Sequence, residues 1–314
     1  MPVYNSERFL AEAIESILQQ TFTDFEFLIV DDGSTDGSLA IIQDYAEHDS
    51  RIRILQLPVN KGEAIARNTG IAQASGKLIT GIDSDDISLP QRLEKQVAYL
   101  EAHSDIGGVG VFHRVCNEDL TTIVSPRLPT YHHSIVLNFV LYIRTAMKCA
   151  NMMLRREYLD MQPLYDPTIA YSADVDLFMR LVWENGIRYA NLPEELYLYR
   201  RHDNTMSNRH QAMKSKLYIP VRRQALGRLG APGRGVEWII HKHPLTKLTW
   251  SERRRARRDI TRLIEAMVAH NWVDADDEPL LYAEMNQLLE STTPRYWQMF
   301  LNWYRYRIAR HIHR

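Results

Sequence analysis

Apolar positions recur at helical spacing between residues 8 and 20, where Phe9, Leu10, Ala13, Ile14, Ile17 and Leu18 share one face. The run FEFLIV at Phe25–Val30 then has the length and composition of a buried strand. The polar stretch DDGSTDGS follows, with Asp and Ser suited to capping a second helix whose apolar face is Leu39, Ile42 and Tyr45. IRILQL at Ile52–Leu57 predicts another strand, Ile65–Ala74 another helix, and LITGI at Leu78–Ile82 a further strand. Alternating helices and strands imply an α/β fold with a mostly parallel sheet, helices on both faces and ligands at the carboxyl ends of the strands. The pattern weakens beyond Gly107: GVGVFHRV predicts a strand, Ser125–His133 a loop and Ala170–Trp183 an amphipathic helix. From residue 211 the chain is helical and basic, with SERRRARRDITRLIEAMVAH and PRYWQMFLNWYRYRIARHIHR as its clearest helices. The expected division is therefore an α/β domain over residues 1–210 and a basic helical region over residues 211–314.

Composition is that of an ordinary globular chain, 45% hydrophobic and 25% charged over 314 residues, enough for one large core or two modest ones. The net charge of −1 conceals a division: residues 211–314 hold 19 Lys/Arg against 10 Asp/Glu, and residues 1–210 hold 19 against 29. An acidic body suits a cation, and a basic tail suits an anionic surface or a solvated helical face. The tail lacks the pattern of any RNA or DNA module, so no nucleic-acid partner is expected. No apolar run reaches the roughly 18 residues of a membrane span. The longest, Ser134–Ile143, contains Asn138. No basic stretch followed by an apolar one opens the chain, so a cytoplasmic location is expected. Cys116 and Cys149 are too few for a zinc cluster and are expected as small buried residues.

Three acidic groups carry the candidate chemistry. Asp31 and Asp32 open DDGSTDGS at a strand tip, where a carboxylate can accept a base N–H and Gly33 lets backbone approach a ligand; the same residues also suit a plain turn and cap. Asp83, Ser84, Asp85 and Asp86 put three carboxylates in four residues, which repel unless a cation or donors offset them. Hard oxygen ligands suit Mg2+ or Mn2+ completed by diphosphate oxygens and water, whereas a solvated acidic turn needs no ion. An EF-hand is a poor match, because its sixth position would be Ser88 instead of Gly. Asp174, with Asp176 two residues on, opens a helix and can act as a general base or simply favour the helix dipole. His202 in YRRHDNTMS is a further possible metal ligand. Phosphate-loop, dinucleotide and hydrolase-elbow motifs are missing.

In order along the chain, PVYN at Pro2–Asn5, QTFTDFEFLIVDDGSTDGS, NKGEAIARNTGIAQASGKLI, DSDD and SADVDLFMRL resemble the family 2 inverting glycosyltransferases of GT-A fold, over about residues 1–210. The resemblance implies sugar transfer from a nucleotide-diphosphate donor, a UDP-sugar first among them, to a glycan or lipid-linked acceptor in bacterial surface-polysaccharide synthesis. It implies that Pro2, Tyr4 and Asp32 line the base pocket with Asp31 in support, and that Asn60, Gly62, Arg67 and Asn68 form the donor-side loop and helix. Asp83, beside Ser84, would hold the ribose, Asp85 and His202 the divalent cation, and Asp174 would be the base. Ala173 stands where members often carry an acid, so support for the base must come from elsewhere. Members also begin with an apolar strand ahead of the first motif, so the resemblance implies a strand upstream of which Met1 is the last residue. A lipid-linked acceptor would suit peripheral contact of residues 292–314, rich in Trp, Tyr and Arg, with an anionic membrane. The rival readings are a non-catalytic nucleotide-sugar-binding module and a sugar nucleotidyltransferase.

Overall fold

The structure is a computed structural model, and it describes residues 1–141, 146–161, 163–169, 172–203, 219–230 and 250–290. Strand β1 (Pro2–Val3) is followed by α1 (Leu10–Leu18), β2 (Phe27–Asp31), α2 (Ser38–His48), β3 (Ile52–Gln56), α3 (Glu63–Gln73) and β4 (Leu78–Thr80). The helical spacing read from the sequence explains α1: Leu10, Ala13, Ile14 and Ile17 are its buried face. β1, β2 and β3 form a parallel sheet in that order.

Then come β5 (Ile87–Ser88), α4 (Arg92–Ala102), β6 (Gly108–Cys116), β7 (Thr122–Val124), α5 (His132–Leu141), β8 (Met153–Arg155), α6 (Ala173–Asn185) and β9 (Tyr189–Arg200). Their sheet runs β4–β8–β6–β9–β5, with β7 beside β6. Parallel pairing, expected for most of the sheet, holds for the first sheet and for β6–β9. The β4–β8, β6–β8, β5–β9 and β6–β7 pairs are antiparallel. The run expected only as too short to span a membrane is α5, and the loop expected through His133 ends at Tyr131.

The described C-terminal helices are α7 (Ile219–Arg228), α8 (Trp250–Ala269) and α9 (Glu278–Glu290). Leu226, Leu263, Met267 and Leu281 from them share a core with Ile135, Leu137, Leu177 and Phe178 of α5 and α6. A second core, containing Val3, Leu10, Ile29, Ile82, Leu100 and Val109, lies under the N-terminal elements. His132 Nε2 meets the Trp272 carbonyl at 2.9 Å, and Ser134 donates to Glu284 at 2.6 Å. The helices beyond residue 211 are thus packed onto the last elements of the α/β region. Cys116 is buried, as expected. No helix among the described residues is long and apolar enough to cross a membrane. The helix expected near the C-terminus, and with it residues 292–314, lies outside the described residues.

The two sheets do not join. Between the β1–β2 edge and β4 runs an apolar cleft of about 910 Å³, lined among others by Met1, Phe27, Ala66, Ile71, Ile79 and Leu177. The Met1 ammonium donates to the Leu28 carbonyl at 2.9 Å inside it, and burial, with Arg67 adding, pushes its pKa down to about 5. The cleft is lined largely by apolar side chains, so apolar residues fused ahead of Met1 would find surface to bury there. Fusing five Val/Ile-rich residues ahead of Met1 is expected to raise Tm by ~5 °C or more over a Gly/Ser fusion of equal length. Each branched side chain taken from water contributes roughly 1.5–3 kcal/mol, and about 1 kcal/mol moves Tm by roughly 2–4 °C in a chain of this size. Equal Tm values for the two fusions would contradict this.

Candidate active site

The first two sequence motifs are stitched into one platform. Asn5 accepts the Thr35 N–H at 2.8 Å and donates its own N–H to Ser34 Oγ at 3.1 Å. Ser6 N–H donates to Ser38 Oγ at 2.8 Å, and Glu7 accepts the Gly37 N–H at 2.7 Å. Asp36 accepts the N–H groups of Glu7 at 3.1 Å and Ser38 at 3.0 Å. Burial would raise its pKa, but these bonds outweigh it and hold the carboxyl below the usual range. The expected capping of α2 by Asp and Ser is not what the structure displays: the N-cap is Gly37, without a side-chain cap, because Ser34, Asp36 and Ser38 accept the N–H groups of Asn5, Glu7 and Ser6 instead. Gly33 is required by geometry: its φ is +71°, and a Cβ there would lie 2.7 Å from the Val59 carbonyl carbon.

Asp31 and Asp32 are both buried at the tip of β2. Asp32 accepts the Lys61 and Gly62 N–H groups, each at 2.8 Å, and so fixes the turn that starts α3, where Gly62 adopts a φ of +94°. Asp31 Oδ1 accepts the Ser34 N–H at 3.3 Å, while Oδ2 has no partner among the described residues. Pro2 lies half-buried in β1, Tyr4 is 46% exposed, and Asn60 is exposed. Asn68, expected on the donor side, instead clamps the Tyr165 backbone, donating to its carbonyl at 2.7 Å and accepting its N–H at 2.9 Å.

The DSDD segment follows β4, and ligating atoms of Asp83, Asp85 and Asp86 lie within 4.8 Å of one another. Arg67 donates to Asp83 at 2.5 Å, and Lys148 Nζ lies 3.6 Å from the same carboxylate. Burial pushes the Asp83 pKa up, but Lys148 and Arg67 together hold it below the usual range. Ser84 shares a 2.7 Å hydrogen bond with Ser6, joining this segment to the platform. Asp85 meets His202 Nε2 at 2.9 Å, bringing together the two residues expected at the cation.

Asp86 is fully buried, and burial drives its pKa well up, with Asp85 and Asp83 adding to the effect. Its carboxylate accepts the Tyr197 hydroxyl at 2.7 Å and the Arg200 N–H at 2.8 Å, locking the segment to β9. Asp86→Ala strands both donors in the core and is expected to cost roughly 2–4 kcal/mol. A Tm unchanged from wild type would contradict that role.

Asp174 opens α6 after Ser172, which adopts a left-handed φ of +70°. Burial raises the Asp174 pKa, partly offset by the Val175 N–H, donated at 2.9 Å, and by Lys148 and Arg67. Asp176 instead pairs with Arg180 at 2.7 Å, and Arg180 donates to the Pro163 carbonyl at 3.2 Å.

Three residues that meet the acidic segment carry no signal that the sequence analysis used: Lys148, Tyr197 and Arg200. Arg200 is 2% exposed and donates to the Asp85 carbonyl at 2.9 Å and to Glu12 at 2.6 Å. Its place two residues before His202 was the sole signal. Lys148 stands in no recognisable motif.

The donor set fits a hard divalent cation. Asp83, Asp85 and Asp86 offer carboxylate oxygens within 4.8 Å of one another, with His202 beside Asp85, and such ions commonly take one or two carboxylates and fill their shell with phosphate and water.

The sequence profile of Glycosyl transferase family 2 matches residues 1–161. The putative glycosyltransferase EpsE of Bacillus subtilis (strain 168) is 36% identical over 222 residues, covering 67% of this chain and 74% of that protein. The O-antigen biosynthesis glycosyltransferase WbnJ of Escherichia coli is 31% identical over 207 residues, covering 66% of this chain and 79% of that protein. The structure of S. aureus TarS 1–349 in complex with UDP-GlcNAc superposes with a TM-score of 0.57 at 19% identity, over 92% of this chain and 87% of that one. At that identity the likeness concerns the fold. With the ordered motifs, the acidic centre and these matches together, the chain belongs to glycosyl transferase family 2 and is a glycosyltransferase of GT-A-like α/β fold.

Proposed function

We propose that this enzyme transfers a sugar, with inversion, from a nucleotide-diphosphate donor, a UDP-sugar first among them, to a glycan or lipid-linked acceptor in bacterial surface-polysaccharide synthesis. The observation that carries the reading is the acidic centre after β4, where Asp83, Asp85 and Asp86 bring ligating oxygens within 4.8 Å of one another and His202 meets Asp85 at 2.9 Å. WbnJ's role in O-antigen biosynthesis supports the polysaccharide setting, and the UDP-GlcNAc bound to TarS supports the donor class.

In this reading the β2 tip, with Pro2, Tyr4, Asp31 and Asp32, receives the base. Asp32 also holds the Lys61–Gly62 turn in place, and Asn60 and Gly62 border the donor. Asp83, fixed by Arg67, and Ser84, fixed by Ser6, face the ribose. A divalent cation, Mn2+ or Mg2+, held by Asp85 and His202 would offset the charge of the departing diphosphate. Asp174 takes the proton of the attacking acceptor hydroxyl; burial makes it a stronger base than an ordinary carboxylate. An acceptor carried on lipid is consistent with peripheral membrane contact of residues 292–314 at the cytoplasmic face. Liposome flotation with and without that segment tests the contact, and equal binding by both forms would refute it.

The stereochemistry tests the mechanism. From an α-linked donor, ¹H NMR of the transferred sugar is expected to show a β linkage. An α-linked product would refute a single-displacement role for Asp174.

A further inference from the structure

We infer that Lys148 is a diphosphate-binding residue of this site, a cation built into the chain that shares with the divalent ion the task of neutralising the donor; the inference rests on the function proposed above. Its backbone is set by a buried polar network. Asn151 donates to the Val111 carbonyl at 3.1 Å, Gln96 donates to the Asn151 carbonyl at 2.7 Å, and the Asn151 N–H returns to the Lys148 carbonyl at 3.2 Å. The short turn carrying Lys148 is thereby pinned to β6, and its side chain lies nearest Oδ2 of Asp83, while Arg67 takes Oδ1.

The ammonium lies 3.6 Å from Asp83, 4.0 Å from Asp86 and 3.6 Å from the centre of the Tyr199 ring. The two carboxylate distances are those of ion pairs, beyond ordinary hydrogen-bond reach. Each carboxylate already has a closer partner: Arg67 on Asp83, and Tyr197 with the Arg200 N–H on Asp86. Arg67 is also committed to Glu63 at 2.7 Å, and Arg200 to Glu12 at 2.6 Å. A counter-ion needed only to satisfy Asp83 or Asp86 would be seated on one of them. Lys148 instead stands between them, partly exposed, with three N–H donors. That is where a diphosphate held at the DSDD segment would lie. Lysine binds phosphate as a compact point charge and needs no fork geometry to do so.

The same position gives Lys148 opposite effects on two ligands. It attracts the diphosphate and repels the divalent cation, whereas a merely structural lysine would weaken both when removed. UDP and Mn2+ binding are measured separately by calorimetry, UDP in EDTA and Mn2+ without nucleotide, for wild type, Lys148→Gln and Lys148→Arg. Wild type is expected to bind UDP measurably in EDTA. Lys148→Gln is expected to bind UDP at least tenfold more weakly there, yet Mn2+ at least as tightly as wild type, while Lys148→Arg keeps UDP affinity within about threefold. Metal-free UDP affinity unchanged in Lys148→Gln, loss of both ligands together, or a wild type that binds UDP with Mn2+ but not at all in EDTA would each overturn the inference. The last readout needs no variant to fold. A wild type that binds no UDP, GDP or dTDP even with Mn2+ would instead overturn the function on which the inference rests.

Discussion

Asp174→Asn is expected to lower kcat by roughly 100- to 10,000-fold, the range a positioned general base contributes. Donor KM should stay within about threefold of wild type. The substitution keeps size and the ability to accept the Val175 N–H, so the start of α6 should survive and Tm should barely move. It removes the basicity that burial strengthens. The pH profile supplies an independent check on the same group. Asp174 accepts a proton only as the carboxylate, and burial raises its pKa, so wild-type kcat/KM should fall as pH drops through a value above the ordinary carboxylate range. Residual activity of the Asn variant should lack that limb. A variant retaining more than a tenth of wild-type kcat, or keeping the limb, would remove Asp174 from the chemistry.

Asp85→Ala is expected to abolish metal-dependent turnover, with losses of at least about 1,000-fold, because stabilisation of a leaving group by a bound cation amounts to several kcal/mol. The fold should tolerate the change. The Asp85 side chain meets His202 near the surface, and the anchors of this segment to β9 are Asp86 and the Asp85 carbonyl, which survives the substitution. EDTA should reproduce the loss in wild type, and added Mn2+ should restore wild type alone. Restoration of Asp85→Ala by Mn2+ to wild-type activity would place the cation on other residues.

Much of the N-terminal fold was legible because local signals agree there. The i, i+3, i+4 spacing of Leu10, Ala13, Ile14 and Ile17 and the short apolar run ending at Asp31 each admit one element. Strand direction in the second sheet was not legible. The direction of β8 is set by its pairing with β4 and β6 from elsewhere in the chain, and nothing local distinguishes Met153–Arg155 from any other three-residue piece.

At the site, the acidic motifs were visible, since three carboxylates in four residues need an explanation. Their division of labour was not. Asp86 resembles Asp83 and Asp85 in sequence, yet it is the buried lock, because Tyr197 and the Arg200 N–H reach it from β9. Asn68 stood in a donor-side motif but serves the Tyr165 backbone. Lys148 could not be found at all, because its proximity to Asp83 depends on a turn 65 residues away along the chain being pinned to β6 by Asn151.

The most direct test of the account is nucleotide release from UDP-, GDP- and dTDP-sugars by the wild-type chain with Mn2+, with Mg2+ and with EDTA. The account predicts turnover of one donor class, with UDP-sugars first, sustained by a divalent cation and lost in EDTA. A folded protein that releases nucleotide equally well in EDTA would contradict the metal-assisted centre at Asp85. One that binds a donor yet releases nothing, even with glycan and lipid-linked acceptors supplied, would contradict sugar transfer itself.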